Sequence, residues 1–182
     1  MKTNGPEDGD SRVVVIGVGN DYRHDDAVGL FVARQVEAQA PRSITVYESD
    51  GEAAALMDVW KGADFAILCD AVCSGADPGT IYHFDVCGQP IPRSLFSHSY
   101  STHDFNVSEA IELARALGDL PERLVVYGIE GEDFSEGQGM SPLVEQAAEH
   151  VIKAILLRVK AAVAWSEGVS DARILAGRGS DT

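Results

Sequence analysis

Two adjacent carboxylates, Asp25 and Asp26, follow the first apolar run of the chain and a Gly-Val-Gly-Asn turn. The apolar run predicts a strand that stops near Gly17, and the residues from Asp26 onwards predict a helix. Ligand crevices in open α/β sheets lie at the carboxyl ends of strands, so this order directs the Asp26 carboxylate into such a crevice. Asp26 is therefore the first candidate for chemistry.

Other strand ends also carry polar side chains, which the same rule places at this edge of the sheet. Asp50 and Glu52 follow the second predicted strand, and Asp70 closes the third. His103 lies in a long loop before a predicted helix, where it can reach the same rim. If the sheet is doubly wound, the carboxylates of Asp26 and Asp70 and the imidazole of His103 face one opening.

Two carboxylates and one imidazole would make a mixed oxygen and nitrogen site. Such a site suits nickel, zinc, iron or manganese better than a thiol-loving ion. Three protein ligands would leave coordination positions open for a substrate atom or for water. The alternative for an acid at a strand end is a helix cap, and the alternative for His103 is a structural role. The residues alone leave these alternatives open.

Several other kinds of site have little support. The glycine turn resembles a dinucleotide-binding loop, but Tyr22 replaces the third glycine and the acid pair would repel a phosphate, so we expect no nucleotide cofactor. The Gly-x-Ser-x-Gly and His-Glu-x-x-His motifs are absent from the sequence. Cys69 and Cys73 are interpreted as core thiols, with Cys69 pointing away from Asp70 because side chains alternate along a strand.

Short β-branched runs alternate with helical patterns along the chain, which is typical of βαβ units. The predicted strands are Arg12 to Val18, Ile44 to Ser49, Asp64 to Asp70, Thr80 to Val86 and Arg123 to Ile129. The predicted helices are Asp26 to Ala38, Glu52 to Trp60, Val107 to Leu117 and Pro142 to Trp165. We expect a single-domain α/β three-layer sandwich, with a largely parallel five-stranded sheet and helices on both faces. The domain spans residues 12–165, and residues 1–11 and 166–182 are expected to be flexible.

Charge and composition limit the partners. The chain of 182 residues has 14 Lys and Arg against 29 Asp and Glu, and its formal net charge of -15 disfavours nucleic acid and anionic membranes. Three cysteines without Cys-x-x-Cys spacing favour the reducing cytoplasm. Neither a secretory signal nor a run of about 20 apolar residues is visible, so we expect a cytoplasmic protein with no membrane partner.

Taken together, the motifs resemble the hydrogenase maturation endopeptidases, over a region from about Val13 to Leu157. The resemblance rests on the order and spacing of several short motifs rather than on any single one. They are Gly17-Val18-Gly19-Asn20 leading to Asp25-Asp26-Ala27-Val28-Gly29, Asp70-Ala71, Ser101-Thr102-His103, Tyr127-Gly128-Ile129-Glu130 and Gly139-Met140-Ser141-Pro142. Two features depart from the family pattern: Asp26 stands where some members have Glu, and Asp50-Gly51-Glu52-Ala53 replaces an Asp-Gly-Gly-Thr loop.

The resemblance implies an enzyme that removes the C-terminal extension of a nickel-iron hydrogenase large-subunit precursor. It implies that nickel is carried by this precursor and that Asp26, Asp70 and His103 occupy the metal-contacting, catalytic positions. The ion would polarise the scissile carbonyl, activate water or only position the substrate, and the sequence does not separate these routes. The alternative function is a non-catalytic, nickel-dependent chaperone or checkpoint for the same large subunit.

Overall fold

The computed structural model describes residues 12–87, 91 and 107–177, and the side chains of residues 12–87, 91 and 107–165. Within them the strands are β1 (Val13–Val18), β2 (Thr45–Ser49), β3 (Phe65–Val72), β4 (Ile81–Asp85) and β5 (Arg123–Glu130). The helices are α1 (Val28–Gln39), α2 (Ala53–Trp60), α3 (Val107–Leu117) and α4 (Pro142–Gly177). A 3-10 turn, His24–Ala27, connects the end of the β1 loop to α1. We call it the acid turn.

The strands form one sheet in the order β2-β1-β3-β5-β4. Strands β2, β1, β3 and β5 are parallel, and β4 pairs antiparallel with β5 at the edge. The predicted α/β class with a largely parallel sheet is confirmed. Because the chain passes from β1 outwards to β2 and then returns to the other side of β1 for β3, the order reverses between β1 and β3. The carboxyl ends of these two strands therefore border the crevice where open α/β sheets bind ligands.

Two apolar layers cover the sheet, one on each face. Side chains of β1 alternate between them, with Val14 and Ile16 on the side of α2 and α3 and Val13 and Val15 on the side of α1 and α4. Burial on both faces explains why β1, β3 and β5 read as nearly continuous apolar runs rather than as alternating ones, whereas β2 is largely exposed. The layers match the predicted three-layer sandwich.

Helix α1 lies directly on β1 because two glycines leave room for it. A Cβ atom at Gly29 would overlap the carbonyl oxygens of Val18 and Cys69, and one at Gly17 would overlap the Gly29 carbonyl. The glycines of the first motif thus allow the helix and strand backbones to touch. This close packing holds the acid turn over the ends of β1 and β3.

The start of α1 and the end of α4 differ from the predicted boundaries, and most other bounds are shifted by one or two residues. α1 begins at Val28 rather than at Asp26, since residues 24–27 form the 3-10 turn. α4 continues to Gly177, past the predicted end at Trp165. The Gly-containing and charged composition after Trp165 suggested a tail, although the Ala172 to Ala176 segment retains good helix formers. None of the helices in the described ranges is long and apolar enough to cross a membrane.

Candidate active site

The structure brings Asp26 and Asp70 together at the crevice between β1 and β3. The acid turn that carries Asp26 contacts β3. Asp70 lies one residue beyond Cys69, which is the last β3 residue paired with β1, so its side chain is no longer flanked by that strand. The Asp26 charge raises the pKa of Asp70, which shows that the two carboxyl groups are close enough to interact.

Asp26 is not a helix cap. No side-chain hydrogen bond caps either the acid turn or α1. Partial burial raises the pKa of the Asp26 carboxyl group, and the nearby charge of Arg23 partly offsets this effect. Within the described part of the chain no hydrogen bond offsets the desolvation of the Asp26 carboxylate, so a cation would stabilise its charged form.

Asp70 is also poorly compensated by its surroundings. Desolvation raises its pKa well above the usual range, and the charge of Asp26 adds to the rise. One carboxylate oxygen accepts the backbone N–H of Ala71 at 2.8 Å, which has a smaller, opposite effect on the pKa. Two neighbouring acids that both resist ionisation form a pair that a divalent cation would stabilise.

The other residues singled out from the sequence have different positions. Glu52 is the N-cap of α2, and its carboxylate accepts the backbone N–H groups of Ala54 and Ala55 at 3.1 and 2.8 Å. Asp50 is exposed and accepts the Glu52 N–H at 3.2 Å. The helix-cap alternative therefore holds for this segment. His103 lies outside the described residues, and so does most of the long loop that contains it.

The cysteines are free. Cys69 is buried in the layer under α1 and α4, as alternation along β3 predicts, and desolvation raises the pKa of its thiol. Cys73 is partly buried and Cys87 is exposed. Within the described ranges, three or more His, Cys, Asp or Glu side chains are nowhere grouped to hold a metal ion. Among the described residues the acid pair therefore supplies two carboxylates and no third group of this kind.

Two buried carboxylates, for which the sequence indicated no role, hold the loops around the acid pair. Glu130 at the end of β5 is 1% exposed and accepts the N–H groups of Ser74, Gly75 and Ala76, at 2.7, 2.8 and 3.2 Å. It thereby fixes the loop that follows Asp70. Asp25 does the same for the loop between β5 and α4. An acid at the end of a buried strand, such as Glu130, is a weak signal for such a role, because the ligand candidate Asp70 also lies near a strand end.

An open groove lies beside the acid turn. It has a volume of about 450 Å³ and is lined by Asn20, Tyr22, Arg23, Glu136, Gly137 and Gln138. Tyr22 is 70% exposed at its edge. Arg23 lines this groove and also acts electrostatically on Asp26, so the groove and the acid pair are adjacent.

The fold and the site define an α/β domain with an open pair of acids at the switch point of its sheet. Residues 30–158, more than half of the chain, match the family model described as hydrogenase maturation protease. The chain therefore belongs to the hydrogenase maturation protease family, and it is a peptidase. Asp70 lies inside the matched segment, and Asp26 precedes it.

Individual relatives agree with the family. The chain is 24% identical over 152 residues to the hydrogenase 2 maturation protease of Escherichia coli (strain K12), covering 82% of this chain and 91% of that one. It is 26% identical over 163 residues to the hydrogenase expression/formation protein HupD of Bradyrhizobium diazoefficiens, covering 88% and 83%. The solved structure of the hydrogenase maturating endopeptidase HybD from E. coli superposes with a TM-score of 0.69 at 24% identity, covering 83% and 93%, and so shows the same fold.

Proposed function

We propose that this peptidase removes the C-terminal extension of a nickel-iron hydrogenase large-subunit precursor after nickel has been inserted. The acid pair supports this proposal most strongly. Asp26 and Asp70 are partly buried, mutually repelling and poorly supplied with donors, so a cation brought by the substrate would stabilise both in their charged forms. The nickel ion of the precursor is that cation.

His103 is proposed as the third group that contacts the nickel ion. A neutral imidazole with two carboxylates makes a ligand set suited to nickel(II). Three protein ligands leave positions for the groups that already hold the ion in the precursor. We propose that this arrangement fixes the scissile peptide beside the metal, where the ion polarises the carbonyl or activates water.

The cysteines and the relatives support a cellular location and a partner. Three free thiols, Cys69, Cys73 and Cys87, suit a reducing compartment, and we propose the cytoplasm. The relatives are named as a hydrogenase 2 maturation protease and as a hydrogenase expression/formation protein, and we propose a hydrogenase large subunit as the partner here.

The experiment is mass spectrometry of a large-subunit precursor incubated with this protein, with nickel-loaded and nickel-free precursor compared side by side. We expect a C-terminal peptide to be released from the loaded precursor alone. Equal cleavage of both precursors would contradict the role of nickel. A precursor that is bound but intact would contradict cleavage and favour the checkpoint function.

The groove beside Tyr22 is expected to contact the peptide chain of the precursor. Truncation of an exposed aromatic residue in a binding groove removes about 1 kcal/mol of binding free energy. We expect Tyr22→Ala to raise KM for the precursor about 5-fold, with kcat unchanged. Tyr47→Ala is the matched control, because Tyr47 is an exposed tyrosine on β2. The same KM for wild type and Tyr22→Ala would show that the groove does not bind the substrate.

A further inference from the structure

Asp25 and Asp26 are neighbours in sequence but have opposite surroundings. Asp25 is 0% exposed, whereas Asp26 is partly buried at the crevice. The Asp25 carboxylate accepts four hydrogen bonds. The two acids therefore have different tasks.

The four donors to Asp25 come from the loop between β5 and α4, residues 131–141. Oδ2 accepts the backbone N–H groups of Glu132 and Asp133 at 2.8 and 2.9 Å. Ser141 donates its N–H to Oδ1 at 2.6 Å and its hydroxyl to Oδ2 at 2.8 Å. One buried carboxylate thus holds both ends of this loop. An ionised carboxylate only accepts hydrogen bonds, so this donor set matches it fully.

Backbone contacts join the same loop to the acid turn along its length. The Asp25 N–H donates to the Asp133 carbonyl at 3.0 Å, and the His24 N–H donates to the Gly137 carbonyl at 3.2 Å. His24 has φ of 44°, a left-handed conformation that costs free energy for a residue other than glycine. The contacts with the loop hold the turn in this conformation.

Asp26 is therefore fixed from both sides. On the C-terminal side, Gly29 packs against the backbones of β1 and β3. On the N-terminal side, the Asp25 carboxylate binds the turn to residues 131–141. We propose that Asp25 is a positioning residue for Asp26: by holding the β5–α4 loop against the acid turn, it sets the direction in which the Asp26 carboxylate meets the substrate. This inference rests on the proposed function.

The test uses Asp25→Asn, which keeps the shape of the side chain but places an amide N–H₂ group among N–H donors. Loss of a group that orients a metal-binding side chain lowers activity about 10- to 100-fold. We expect Asp25→Asn to lower kcat for the nickel-loaded precursor by about this factor, with KM changed less than about 3-fold. We also expect faster hydrogen exchange at the amides of residues 132, 133 and 141. Val159→Ala, a core change in α4, is the control for stability.

The outcomes separate the inference from the proposed function. An unchanged kcat in Asp25→Asn, or an equal fall in kcat in Val159→Ala at the same loss of thermal stability, overturns the inference. If Asp25→Asn does not fold, Ser141→Ala is used as the test variant. It removes the hydroxyl donor to the Asp25 carboxylate and leaves the three backbone N–H donors. A lower kcat at constant KM then supports positioning, and an unchanged kcat overturns it. Failure of the wild type to cleave the loaded precursor overturns the proposed function and also overturns the inference that rests on it.

Discussion

Asp70→Asn is expected to abolish precursor processing, with the rate falling at least about 100-fold, while the protein becomes no less stable at neutral pH. The two effects have one cause. The Asp70 carboxylate is costly to ionise in the folded state because it is desolvated and faces Asp26. The asparagine side chain keeps an oxygen that accepts the Ala71 N–H but carries no charge for a metal ion.

The pH dependence of stability has a definite sign. The pKa of Asp70 is raised in the folded protein, so between its unfolded value of 3.8 and its folded value the native state binds more protons. The free energy of unfolding of the wild type therefore falls as the pH rises through this interval, and Asp70→Asn removes that contribution. Urea unfolding of both proteins across this pH interval measures the difference. Asp58→Asn is the control, since Asp58 is an exposed acid on α2 and its change is expected to alter stability by less than about 0.5 kcal/mol.

The same raised pKa values predict an acid limb in activity. Carboxylates bind a metal ion only when deprotonated, so kcat/KM is expected to fall as the pH drops through the pKa values of the acid pair in the free enzyme. Because burial raises the pKa of both Asp26 and Asp70, this limb should lie above the ordinary range of aspartate.

A processing rate in Asp70→Asn equal to that of the wild type would contradict the role of the pair.

Gly29→Ala is expected to destabilise the fold by about 3 kcal/mol, the upper end of the usual cost of overpacking a core. The added Cβ atom would overlap the carbonyl oxygens of Val18 and Cys69. These are backbone atoms of β1 and β3, so the overlap is relieved only if α1 moves away from the sheet. Such a movement would also carry the acid turn away from Asp70, and activity should fall together with stability.

Gly118→Ala separates steric overlap from backbone strain. Gly118 follows α3 with φ of 75°, and a Cβ atom there would meet no atom within 4 Å. Its substitution is expected to cost about 1 kcal/mol, for the left-handed conformation alone. Urea unfolding compares the two variants with the wild type. If Gly29→Ala were no more destabilised than Gly118→Ala, this would contradict the direct packing of α1 on the sheet.

The sequence predicted the elements well because their signals are local. Buried apolar runs predicted β1, β3 and β5, and the bounds of α3, Val107–Leu117, agree with the prediction. The antiparallel direction of β4 could not be predicted, since it depends on pairing with β5, far along the chain. The continuation of α4 to Gly177 was missed because helix propensity is a weak signal where glycine and charges are mixed.

Only part of the candidate site could be predicted from the sequence. The rule that ligands bind at the carboxyl ends of parallel strands placed Asp26 and Asp70 on one rim, and the structure has them interacting there. The same rule included Glu52, which caps α2 instead. The loop-holding roles of Asp25 and Glu130 depend on residues about 110 and 55 positions away, as their hydrogen bonds show, and no local pattern reports such contacts.

We propose that Asp26 and Asp70 coordinate the nickel ion of the precursor. X-ray absorption at the nickel edge measures this most directly, with the loaded precursor rapidly frozen after mixing with the enzyme. The control is the Asp26→Asn, Asp70→Asn double variant at the same concentration. We expect additional oxygen ligands on nickel with the wild type and fewer with the double variant. A nickel coordination sphere that is the same with the wild type, with the double variant and with no enzyme would contradict it.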